Sequence, residues 1–111
     1  MNMRYHDPLM NHDEAASDLA TGDQSKITTA LISVGLNETD SLWAQEVCLQ
    51  HMNGNNPAIA SAGIVAIGHI ARRFGVLDMS RVSPALQQAR RKFPSLSGVV
   101  ESALDDIEMF T

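Results

Sequence analysis

The run from Pro57 to Phe74 and the run from Pro94 to Phe110 carry apolar residues in one register, and that repetition constrains the fold more than any other feature of the chain. Displaced by 37 residues, Pro57 aligns with Pro94, Ile59 with Leu96, Ala66 with Ala103, Ile67 with Leu104 and Ile70 with Ile107. The same displacement sets Leu49 over Leu86, so the segments ahead of the two runs belong to the repeat as well. A shorter offset places Ile27, Ala30 and Val34 over Ile59, Ala62 and Ala66, which suggests an earlier unit. Self-similarity of this kind marks one supersecondary unit used several times, each copy burying its apolar face against the next.

Within each unit the apolar residues recur at three- and four-residue spacing, and alternating β-branched runs bounded by hairpin turns are absent. Six helices are expected. The first runs from about Asp13 to Ala20 and stops at Thr21-Gly22, because glycine can take the left-handed conformation that closes a helix. The second follows Asp23, an N-cap residue, and carries Ile27, Ala30, Leu31 and Val34 on one face. Thr39 or Asp40 caps the third, whose apolar side reads Leu42, Trp43, Val47, Leu49 and Met52 before "NGNN" breaks it. Pro57 opens the fourth, where the missing N–H of proline has no helical partner to lose. Its sequence "IASAGIVAIGHIARRF" is small and apolar on nearly all sides, so this should be the most buried helix. Gly75 ends it, Ser80 opens a fifth helix through Lys92 with Pro84 in or near its first turn, and Pro94-Ser95 opens a sixth that reaches about Phe110. The expected architecture is all-α: a short right-handed α-solenoid of about three HEAT-like hairpins in a single domain, with residues 1 to 11 an irregular N-terminal segment. The spacing of 35 to 40 residues lies in or just below the range of HEAT repeats.

At 111 residues and 44% hydrophobic content the chain can bury a modest core. The N-terminus "MNMRYHDPLMNHDEAA" lacks an apolar h-region, and no stretch reaches the roughly 18 apolar residues of a membrane span. A cytoplasmic protein is therefore expected. The single cysteine, Cys48, cannot form an internal disulfide, which fits a reducing compartment. The net charge of −5 argues against a general nucleic-acid binder, whose affinity rests on neutralising phosphates. Two basic and seven acidic residues fall in residues 1 to 40, six basic and two acidic in 41 to 100, and four acidic in the last eleven. Acidic ends thus flank a basic middle, a pattern that can steer a basic partner or pair internally.

The pattern "DSLWAQEVCLQHMNGNNPAIASAGIVAIGHIARRFGVLD", followed by "ESALDDIEMF", resembles small bacterial HEAT-like repeat proteins, among them immunity proteins of contact-dependent inhibition and other polymorphic toxin systems. The resemblance covers about residues 12 to 110. One departure is that Ala60-Ser61 follow Pro57-Ala58-Ile59 where such repeats often carry an arginine, so no repeat-specific salt bridge is carried over. The resemblance implies a binding protein that neutralises a cognate toxin domain, a nuclease in many such systems, acting as a monomer without cofactor, metal, nucleic acid or membrane. An acidic surface would complement a basic cleft. Asp13, Glu14, Asp18, Glu38 and Asp40 near one end of the chain, and Glu101, Asp105, Asp106 and Glu108 near the other, are the candidate contacts; solvated helix faces are the plainer account of each. The alternative role is a generic HEAT-repeat scaffold or regulatory adaptor.

No catalytic constellation emerges from the residues. His69 and Arg72 share a helix face, and the 37-residue displacement puts Asp106 in the place of His69, so His69 or Arg72 is expected to meet Asp105 or Asp106 between successive units. His6, His12, His51 and His69 have no metal-ligand spacing with Cys48 or one another. Cys48, between Val47 and Leu49, reads as a small buried residue rather than a nucleophile. No P-loop, dinucleotide or Gly-x-Ser-x-Gly pattern occurs, and Gly63 and Gly68 suit close helix packing. Trp43 covers a gap between helices or anchors an interface. The basic end "RRKF", Arg90 to Phe93, complements a helix dipole, or alternatively touches an acidic partner or RNA.

Overall fold

A computed structural model describes residues 10–111. Most of the irregular N-terminal segment expected from the sequence lies outside the described residues, and of its last two, Met10 and Asn11, neither is helical. Six helices follow: α1 (His12–Leu19), α2 (Gln24–Asn37), α3 (Ser41–Met52), α4 (Pro57–Phe74), α5 (Met79–Lys92) and α6 (Ser97–Phe110). Among the described residues there is no strand and no helix long and apolar enough to cross a membrane.

Capping chemistry sets the boundaries. Asn11 accepts the Glu14 amide at 2.8 Å while Glu14 accepts the Asn11 amide at 3.0 Å, a reciprocal box that starts α1 one residue earlier than expected. Asp23, Asp40 and Asn56 each accept a first-turn amide, from Lys26, Trp43 and both Ala58 and Ile59. Gly75 closes α4 at φ 71°, and its amide returns to the Ala71 carbonyl at 2.9 Å. Helix α5 lacks a side-chain cap bond. Its start at Met79 is held instead from α3, where the Gln45 side-chain Oε1 accepts the Asp78 backbone amide at 2.6 Å. Pro84 therefore sits inside α5, where its missing N–H leaves the Ser80 carbonyl without its usual helical partner. Pro94 opens a single 3-10 turn through Leu96 before α6 begins at Ser97, three residues later than the sequence suggested.

The hairpins α1–α2, α3–α4 and α5–α6 stack so that α2, α4 and α6 form one row, with α4 packed against both its row neighbours and α3; α3 in turn meets α5 in the other row. This is the short, solenoid-like arrangement the repeat implies. In keeping with its apolarity, α4 buries more residues than any other helix: Ala60, Ala62, Gly63, Ile64, Ala66, Ile67, Gly68, Ile70 and Ala71 are buried on it. Ile64, Ile67 and Ile70 meet Leu31, Val34, Met52, Leu86 and Val100 in one continuous core. Each such side chain contributes about 1.5–3 kcal/mol by leaving water. The small residues of α4 allow its neighbours to come close: Gly35 of α2 lies against the Ala66 backbone. One expected core residue is corrected. Leu42 is 78% exposed: it shares a side of α3 with the buried Gln45 and Leu49, but it lies in the first turn, at the end of the helix, where no neighbour covers it.

Candidate protein-binding surface

Because consecutive helices reverse direction, the N-termini of α1, α3 and α5 share one pole of the stack with the C-termini of α2, α4 and α6. Several contacts tie that pole together. His12 at the start of α1 meets Glu38 at the end of α2 through Nδ1 and Oε1 at 3.0 Å, and its ring packs against that of Trp43 of α3 at a centroid distance of 4.1 Å and a tilt of 44°. Arg73 at the end of α4 donates to the Gly35 and Glu38 carbonyls at 2.9 and 2.7 Å, which satisfies orphan carbonyls at the end of α2 with a cation. Arg72 lies 3.7 Å from the Asp106 carboxylate and 5.6 Å from the Phe110 ring centroid, joining α4 to α6. At the opposite pole Lys92 donates to Asn55 and the Gly54 carbonyl, Asn56 to Gln24, and Arg90 to Glu101.

This folding rule redistributes the acidic residues. Asp13, Glu14, Glu38, Asp40, Asp105, Asp106 and Glu108, drawn from both ends of the chain, all lie at the first pole, while Asp18 and Glu101 fall toward the second, where Arg90, Arg91 and Lys92 end α5. They do not present equal surfaces. Glu38 is 7% exposed and accepts from the Asp40 amide at 3.0 Å in addition to its His12 contact, so it belongs to the joint between α2 and α3 and is removed from the candidate contacts. A buried carboxylate needs such partners. Glu14 and Asp40 are exposed but serve as helix caps, and Glu101 is held by Arg90 at 2.6 Å. Asp105 and Glu108 are exposed with no pairing partner among the described residues.

Of the four residues expected to join successive units, Arg72 and Asp106 approach each other as stated. His69 is half-buried on α4, and Asp105 points away from the pair into solvent. The adjacent arginines 72 and 73 divide their work, since a step of about 100° along a helix turns one toward α6 and the other toward α2. The role of Arg73, and that of the His12–Glu38–Trp43 cluster, was missed by sequence reasoning: their partners lie 26 to 38 positions away, and no local pattern announces them.

Cys48 is fully buried, and burial pushes its thiol up to about 12, so it stays protonated at neutral pH. Among the described residues no group of three or more His, Cys, Asp or Glu could hold a metal ion. A shallow depression of about 410 Å³ between α3 and α5 is lined by Met52, Ser80, Arg81, Pro84, Gln88 and Lys92. Its cations are engaged: Lys92 with the α3–α4 loop, and Arg81 with Glu46 at 2.6 and 3.0 Å. That bidentate bond holds the Glu46 carboxyl below its ordinary range and raises the guanidinium of Arg81.

No protein-family model matches the chain, and neither does any curated protein. Among solved structures, the chain is similar to one in the crystal structure of a CDI complex from Cupriavidus taiwanensis. The two share 27% identity over 98% of this chain and 96% of the other, with a TM-score of 0.81. The likeness runs over nearly the whole of both chains, in agreement with the resemblance drawn from the repeat pattern.

Proposed function

We propose that the chain is the immunity partner in a contact-dependent inhibition system: a cytoplasmic, non-enzymatic monomer that binds the cognate toxin domain and neutralises it at one-to-one stoichiometry. The observation that carries this reading is the end-to-end likeness to a chain of a CDI complex. Charge supports the inhibitor role over the toxin role. A nuclease needs a basic face for phosphates, whereas this chain has a net charge of −5 and gathers most of its candidate carboxylates at one pole. Such a pole suits a basic nuclease cleft and would speed encounter with it.

Co-expression tests the proposal directly. The toxin domain encoded beside this chain should arrest growth when expressed alone and permit growth when this chain is present. With purified components, toxin activity should fall to background at one equivalent. A toxin that keeps its activity in a several-fold excess of this chain would reject the reading.

A further inference from the structure

The six helices are unequally held, and α1 is held least. Of the described residues of α1, Ala15 alone is buried, whereas α6, at the other end of the stack, buries Val100, Ala103 and Ile107. Helix α1 packs on α2, and between it and α3 runs a groove of about 360 Å³ lined by Ala16, Leu19, Ala20, Trp43, Val47 and His51. The polar contacts that close α1 on the stack gather at its first turn. The Met10 amide donates to the Ser33 hydroxyl of α2 at 3.0 Å, His12 meets the Glu38 carboxylate, and the His12 ring packs against Trp43. Met10 and Leu19 add half-buried apolar contacts with the core. At its other end α1 turns into α2 through Gly22 at φ 76°, where an added Cβ would meet no heavy atom of the described residues within 4 Å. One end is latched, and the other is an open glycine turn.

We infer that α1 is a hinged flap: it opens as one unit about Gly22 while α2 to α6 stay folded, and its departure uncovers Ser33 and Trp43. A terminal element of a repeat stack has a neighbour on one side only, so it can part without breaking the interfaces that follow. The continuous core draws its large buried side chains from α2 to α6, and they keep one another covered when α1 leaves. An eight-residue helix is marginal by itself in water, so α1 loses its helical hydrogen bonds as it opens. Opening does not strand Glu38. Its carboxylate keeps the Asp40 amide at 3.0 Å and exchanges His12 for water. The flap carries Asp13, Glu14 and Asp18, so these carboxylates ride on a moving element, while Asp105, Asp106 and Glu108 are fixed on α6. None of this depends on the identity of a partner.

Amide hydrogen exchange of the full chain, followed residue by residue by NMR where reclosing outpaces exchange, is the test. Corrected for intrinsic rates, the amides of residues 16–19 should exchange roughly 100-fold faster than those of residues 64–70, and their rates should depend little on dilute urea, since little surface is exposed. Two substitutions separate the flap from global unfolding. Ile107→Val, at the far end of the stack, weakens the α2 to α6 body whether α1 is open or closed. It should speed exchange in α4 about fivefold and leave α1 unchanged. His12→Ala removes the latch and should speed exchange in α1 about tenfold. Equal acceleration of α1 and α4 by Ile107→Val would mean that α1 opens only with the whole molecule, and would overturn the flap. Exchange in α1 that His12→Ala leaves unchanged would overturn the latch.

Discussion

Replacing Gly35 with alanine tests how tightly α2 and α4 cross. A Cβ at this position would lie 2.8 Å from the Ala66 Cα and 3.0 Å from both its Cβ and its carbonyl oxygen. None of these atoms can swing aside by changing a rotamer. The helices would have to part by about half an ångström to reach ordinary contact, and a gap of that size already forfeits about a quarter of the dispersion energy of the atoms across it. Helix α4 has little room to retreat, because α3 and α6 pack on its other sides. Overpacking of this kind costs about 1–3 kcal/mol. Alanine returns about 1 kcal/mol through its better helix propensity, so the two terms oppose each other. With backbone as the obstacle the upper part of the steric range applies, for a net loss of about 1–2 kcal/mol and a fall in Tm of roughly 4–10 °C. Circular dichroism melts and urea unfolding measure it. Gly98→Ala, with nothing within 4 Å of the new methyl, is the control and should show no such fall. A Gly35→Ala chain that melts at or above the unaltered temperature would refute the argument, since propensity would then have won at a loose crossing.

Glu38→Ala should lower stability by about 2–3 kcal/mol in urea unfolding, because the Asp40 amide and His12 both lose a buried acceptor. Cys48 should resist thiol reagents in the folded chain, reacting only as fast as the core opens. Since its pKa is raised by burial, the unfolded chain releases this proton first as pH rises, and stability should decline between about pH 9 and pH 12, a decline absent from Cys48→Ala. Glu46 has a lowered pKa, so its pairing with Arg81 contributes above the ordinary carboxylate pKa and is lost as pH falls through the lowered value; the melts of Arg81→Gln and the unaltered chain should converge in acid. Gly68→Ala is crowded only by the Asp106 carboxylate, at 2.9 Å, which can turn aside, the Ala103 backbone lying at an ordinary 3.8 Å; it should leave Tm within a few degrees while loosening the Arg72 contact.

Helix identity was legible in the residues because its determinants are local. Asp23, Asp40, Pro57 and Gly75 each act within a turn of their own position, and the apolar period of α4 exposes its burial directly. Leu42 was misread for a physical reason: an apolar residue in the first turn satisfies the helical period whether or not a neighbour covers it, and no neighbour does. Glu38 was misread in the opposite sense. Its charge suggests solvent, yet the meeting of His12, Asp40 and Arg73 around it makes burial tolerable.

The sequence by itself determined six helices, their order in three hairpins and the central place of α4, since periodicity, caps and the 37-residue displacement are properties of short segments and their copies. Only the tertiary structure decided which charges share a surface. Reversal of direction at every turn brings the first helix's N-terminus and the last helix's C-terminus to one pole, so carboxylates some ninety positions apart share it although α1 and α6 stand at opposite ends of the stack, and the four exposed large apolar side chains of the described residues emerge at the same pole. A linear charge profile shows two acidic ends; the folded chain has one acidic, partly apolar face, because the even number of antiparallel helices returns the chain to the pole from which it began.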